Sequence, residues 1–292
     1  MHLIDGLLEV RSCSLVGLEK NTGKTVTLNY LLRHLPSHVR VGVTSIGLDG
    51  ETRDQVVGTE KPEIVLRSGS LFGTTEKHYR QRKMVSELLD VSDIPTALGR
   101  LVTARVVVTG KVIIAGPGST ELLKRWMRTV EKEVDLILVD GALSRMSLAS
   151  PTVSEGMILA TGAAYSANID TLVRKTAYVV HLINLPLWDG NDDDCIGVSG
   201  AVTDRVLDKI MNDKDAKGKR LLIPDFTKVF ADPMVWHRFE QQHPVVVRQR
   251  SRLLGLTVNP TAPNGMVLDS DILCKRLTEA TGLPAVDLMR NT

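Results

Sequence analysis

The residues best suited to chemistry lie near the start of the chain, in Val16-Gly17-Leu18-Glu19-Lys20-Asn21-Thr22-Gly23-Lys24-Thr25. A short apolar run at 12–16 precedes them and a helical pattern at 25–35 follows. In a glycine-containing turn between strand and helix, consecutive backbone N–H groups and the helix N-terminus converge on an anion. Gly23 lets the backbone approach phosphate oxygens, Lys24 reaches the β and γ oxygens of a triphosphate, and the Thr25 hydroxyl suits Mg2+. Gly17, Lys20, Asn21 and Thr22 complete the candidate binding set. The spacing departs from G-x-x-x-x-G-K-[ST]. The first glycine is Gly17, five residues before Gly23, and Leu18 stands where the common pattern has glycine. The alternative is a Gly-Lys-Thr turn that opens a helix and binds nothing.

Phosphate loops work with acids at neighbouring strand ends. Asp140 closes an apolar run at 136–139 (DLILVDG), the expected place of a Mg2+ or metal-water ligand; the alternative is a turn acid before Gly141. Asp49 and Glu51 follow a β-branched run at 39–46, and an Asp-Gly turn is the competing explanation for Asp49. The expected metal set is Thr25, Asp49 and Asp140. In a parallel sheet these strand ends share one carboxyl edge, where ligands of such sheets bind. Residues 115–120 (AGPGST) and 162–168 (GAAYSAN) also cross from strand to helix, and ordinary turns explain both. The guanine-reading N-K-x-D pattern is absent, which favours ATP over GTP. Thr257-Val258-Asn259-Pro260 occupy a strand end suited to base contacts, and their proline also fits a rigid loop. Lys77, His78, Arg80, Arg82 and Lys83 fit either a solvated face or an anion or partner contact. Arg248, Arg250 and Arg252 alternate as an exposed edge strand does. The histidines form no metal pattern, and Cys13, Cys195 and Cys274 have no histidine neighbours, so neither structural metal nor covalent catalyst is expected.

The elements that position these groups follow from periodicity. Helical patterns occupy 25–35 (stopped by Pro36), 84–90, 121–134 with Ser119 or Thr120 as N-cap, 169–176, 203–211 and 270–281. Strand runs occupy 39–46, 63–66, 106–108, 112–115, 136–139, 157–161, 221–223, 245–247, 254–258 and 285–288, with a turn at Thr109-Gly110. Strands alternating with helices predict an α/β fold of phosphate-loop (P-loop) NTPase type, a mostly parallel sheet flanked by helices. The acidic turn at 189–194 (DGNDDD) is the weakest point. Either one α/β unit continues through it, or a core of 1–188 is followed by a smaller α/β lobe in 189–292.

Composition narrows the class. Lys and Arg total 36 against 34 Asp and Glu, a net +2 that offers nothing general to nucleic acid or an anionic membrane. With 43% hydrophobic and 24% charged residues among 292, the chain is not of the disordered type. No uncharged apolar run reaches the roughly 18 residues of a membrane helix. The first residues, MHLIDGLLEVRSC, carry acids within their apolar stretch and no basic leader, so no signal peptide is expected. Scattered cysteines without CxxC fit reduced thiols in a cytoplasmic protein.

The loop's five-residue spacing resembles one branch of the superfamily: dethiobiotin synthetase, the cobyric acid and cobyrinic acid amide synthases, and the molybdopterin-guanine dinucleotide accessory protein. A narrower likeness runs from about residue 12 to 288. VGLEKNTGKTVTLNYL, TSIGLDGE, GTEKPEI, DLILVDGA and TVNPTAP occur in an order that resembles the smaller reactivase subunit of lysine 5,6-aminomutase. That resemblance implies an ATP-binding accessory protein of an adenosylcobalamin- and pyridoxal-phosphate-dependent mutase of lysine fermentation, acting with a MutS-like ATPase partner. It also implies phosphate and Mg2+ at Lys24 and Thr25, with Asp49 and Asp140 completing the metal site. It identifies no cobalamin-binding residue. Three functions therefore compete: nucleotide-driven reactivation with slow intrinsic ATP turnover, a dethiobiotin synthetase-like reaction in which ATP activates a carboxylate or carbamate, and a non-hydrolysing scaffold.

Overall fold

β1 (Ser12–Gly17) is buried along its whole length, as a strand covered on both faces must be. β7 (Leu136–Ala142) and β8 (Gly156–Gly162) flank it in parallel, with Leu15 paired to Asp140 and to Ile158. β2 (Val41–Ser45) and β4 (Leu71–Thr75) extend the sheet beyond β7, and β12 (Arg252–Asn259) and β13 (Ala285–Asp287) extend it beyond β8, all in parallel. The far flank is antiparallel. There β6 (Gly99–Val112) pairs with β4 and β3 (Ile64–Leu66) on one side and with β5 (Lys83–Thr96) on the other. The protein is thus α/β, with a ten-stranded, mostly parallel sheet. This computed structural model describes residues 2–46, 63–96, 98–142, 153–191 and 194–291.

Alternation along each strand sorts side chains between the two faces. Leu15, Ile158, Leu136, Leu138, Val41 and Val43 join one core with Leu3 and Leu7 of α1 (His2–Leu7) and Leu28 and Leu31 of α2 (Lys24–His34). On the opposite face, Ile137 and Val139 pack with Leu123 and Trp126 of α4 (Thr120–Val130). Val16, Met157 and Leu159 pack there with α5 (Ile169–Ile183) and α8 (Ser270–Thr281) through Leu172, Val180, Leu273 and Leu277. The same cluster takes in a second, three-stranded parallel sheet, β9 (Cys195–Gly197), β10 (Arg220–Ile223) and β11 (Val245–Val247). Its helices are α6 (Asp204–Met211) and α7 (Pro233–Glu240). After α5 the chain leaves the main sheet, builds this small sheet, and returns as β12, α8 and β13.

Three local expectations fail for physical reasons. Residues 84–90, expected as helix, lie in β5. Ser86, Glu87, Leu88 and Leu89 suit a helix in isolation, but pairing with β6 (Val85 opposite Val108, Leu88 opposite Ala104) overrides that preference. The expected turn at Thr109-Gly110 is absent, because β6 runs through it to Val112. Gly110 serves close approach instead, since a Cβ there would meet the Lys83 carbonyl oxygen at 2.3 Å. Arg248, Arg250 and Arg252 do not share a strand face. Arg248 stacks over Trp188 at 4.5 Å between β11 and β12, whereas Arg252 opens β12 and pairs with Glu9.

Candidate functional site

The carboxyl ends of β1, β7 and β2 lie side by side: Gly17 is opposite Ala142, and Asp140 is opposite Ser45. The loop from β1 to α2 emerges at this edge. Leu18 stays with the sheet, its N–H donating to the Ala160 carbonyl at 2.9 Å and its side chain buried in the core with Leu159. That role explains why glycine stands one residue earlier than in the common pattern. Gly17 lies under the folded-back loop, where a Cβ would come within 2.6 Å of Thr22 Oγ1 and 2.9 Å of Lys24 Cγ and Cδ. Thr22 is buried, and its hydroxyl donates to the Glu19 carbonyl at 2.9 Å. The Lys20 N–H donates to Glu19 Oε1, also at 2.9 Å. Asn21 and Gly23 both take left-handed backbone, at φ 62° and 92°.

α2 and α6 both open without a side-chain cap, unlike four of the other helices. Ser119, Asn168, Asp232 and Asp269 cap α4, α5, α7 and α8 with side-chain oxygens. α2 opens at Gly23 with no side-chain cap, so the N–H groups of its first turn are left for another acceptor. Lys24 is the first residue of that helix, and its ammonium lies 3.9 Å from Asp140 Oδ1, too far for a hydrogen bond. That oxygen is buried and has no hydrogen-bond partner among the described residues. Thr25, on the same turn, is half-buried. Asp49 and Glu51 fall outside the described residues, on the chain that follows β2. Among the described residues, no group of three or more His, Cys, Asp or Glu is arranged to hold a metal ion.

The neighbouring turns have settled roles. Gly116 lies against the end of β2, where a Cβ would overlap the Ser45 carbonyl oxygen at 1.7 Å, and Ser119 already caps α4. In the 162–168 turn, Asn168 caps α5, and Tyr165 sits near Glu19 with Lys175 over its ring at 5.1 Å. Burial first, and the Glu19 charge second, raise the Tyr165 phenol above its ordinary pKa. The basic run is largely taken up in packing around α3 (Glu76–Arg80): His78 is buried against Thr75, Arg82 stacks on Tyr79 at 3.9 Å, and Lys83 pairs with Glu63 at 2.7 Å. Lys77 and Arg80 line a surface cavity of about 380 Å³ with Glu76 and Gly99, which includes no loop residue. Burial pushes the thiols of Cys13 and Cys274 up, a condition suited to packing rather than nucleophilic attack.

One contact at the loop has no counterpart in any local pattern. Asn259, at the end of β12, donates from Nδ2 to the Asn21 carbonyl at 2.9 Å across 238 residues of sequence. The Thr27 and Thr257 hydroxyls meet at 2.9 Å just behind it. No family model, curated protein or solved structure matches the chain.

Proposed function

We propose that the chain is a protein of P-loop NTPase type that binds ATP with Mg2+ at residues 17–25 and acts as an accessory factor. The observation that carries the nucleotide reading is the uncapped start of α2 beside the Lys24–Asp140 pair. A triphosphate would supply the acceptors that the first-turn N–H groups lack, and Lys24 would neutralise its outer oxygens. Gly17, Lys20, Asn21, Thr22 and Gly23 shape the cradle. The buried Oδ1 of Asp140, which has no hydrogen-bond partner among the described residues, fits a cation-holding role; Thr25 and Asp140 would hold Mg2+, with Asp49 as the further ligand expected from sequence. When bound, Mg2+ supplies charge neutralisation to the phosphates.

The client comes from the sequence resemblance. The order of the five segments supports reactivation of an adenosylcobalamin-dependent lysine 5,6-aminomutase, together with a MutS-like ATPase partner. The loop supplies phosphate-binding groups and no nucleophile, an endowment suited to switching a partner surface. Millimolar Mg-ATP should raise the melting temperature of the wild type through preferential binding to the folded state, and Lys24→Ala should lose most of that shift. An unshifted wild type removes the nucleotide reading and leaves the scaffold. The accessory role is tested on suicide-inactivated aminomutase given fresh adenosylcobalamin, ATP and the partner ATPase. Activity should return with this protein and not with Lys24→Ala, while the isolated chain turns over ATP slowly. Rapid, small-molecule-dependent turnover by the isolated chain would instead favour the dethiobiotin synthetase-like enzyme.

A further inference from the structure

We propose that Asn259 is a positioning residue that holds the apex of the phosphate loop in its anion-binding shape; the inference rests on the nucleotide reading above. A left-handed asparagine is tolerated rather than preferred, so the Asn21 peptide gains from an external constraint. Asn259 provides it, with Nδ2 donating to the Asn21 carbonyl at 2.9 Å. The same amide accepts through Oδ1 from the Thr261 N–H at 3.1 Å. Together the two bonds fix which way the amide points, since a flipped amide would set donor against donor and acceptor against acceptor.

Asn259 is itself anchored to the sheet. Its carbonyl accepts from the Ala163 N–H at 2.9 Å, and Gly162 leaves it room, because a Cβ there would come within 2.0 Å of that carbonyl oxygen. On the loop side, a Cβ on Gly23 would lie 3.1 Å from the Asn259 Cβ. The turns after β1, β8 and β12 therefore meet at one residue, the first through its side chain and the second through its backbone carbonyl. An anion site gains affinity when its N–H groups are already oriented, and this contact restrains the peptide between Asn21 and Thr22.

The test compares wild type, Asn259→Ala and Asn259→Asp by calorimetry against Mg-ATP and against inorganic tripolyphosphate, at high salt. Asn259→Asp keeps the acceptor for Thr261, replaces the donor to Asn21 with a second acceptor and adds a negative charge that the high salt screens, so it remains informative where the alanine variant fails to fold. Both variants should lose about tenfold in affinity, the scale of one lost hydrogen bond. The loss should be equal for the two ligands and should persist as salt is raised further, which separates the lost donor from the added charge. Unaltered affinities overturn the proposal. A loss confined to Mg-ATP also overturns it, by assigning Asn259 to the base. A wild type that binds neither ligand overturns the nucleotide reading itself, and this assignment with it.

Discussion

Gly17 and Asp140 test different properties of the loop. A methyl group on Gly17 would press on Thr22 Oγ1 and the Lys24 stem, so Gly17→Ala should cost about 1–3 kcal/mol, as overpacking does, and abolish the Mg-ATP melting shift. Urea titration with and without nucleotide measures both, and an unchanged midpoint would remove the close-approach argument. Asp140→Asn should act on the metal alone. It should weaken affinity for Mg-ATP while leaving metal-free ATP affinity equal or higher, because the charge facing Lys24 is gone. Equal losses in calorimetry with and without Mg2+ would move Asp140 into a structural role. Gly17, Gly23, Lys24 and Asp140 were legible because each belongs to a local strand-turn-helix or strand-end pattern. Leu18 looked like a defect, and only its burial against β8 explains it.

Strand ends on the opposite, amino-terminal edge of the sheet are tied by charge. The N–H and guanidinium of Arg40, just before β2, donate to Asp135, just before β7, at 2.9, 3.2 and 2.7 Å. Those bonds hold the Asp135 carboxyl down at about 2, below its ordinary value of about 3.9. A depressed carboxylate contributes stability that is fully present above its unfolded pKa and is lost as pH falls through the folded one. Asp135→Asn should therefore be modestly less stable than wild type near neutral pH, and the difference should close as pH falls toward about 2. Urea midpoints across that range check it; a gap that persists at the acid end would exclude the carboxylate as its source. The β5–β6 ribbon was the least legible element. Its β5 alternates between exposed and half-covered residues, and its register with β6 shifts at several points, so periodicity is too weak to exclude a helix.

The last forty or so residues belong to the central sheet, since β12 pairs directly with β8 and α8 closes the core over it. A chain ended after Gln249 would expose the β8 edge and remove Leu256, Leu273 and Leu277 from a cluster shared with the small sheet. It should lose cooperative melting and near-ultraviolet dichroism and become sensitive to limited proteolysis. A cooperatively melting fragment would show that the remaining core stands alone. The sequence carried the α/β class, the central parallel strands and the glycine-containing turn between β1 and α2, because burial period and glycine stereochemistry are local properties of a few neighbouring residues. Tertiary structure alone decided the β5–β6 ribbon, the return of β12 beside β8, and the hold of Asn259 on Asn21. Those depend on which strands become neighbours, and contacts between residues 238 apart leave no trace in the spacing of either segment.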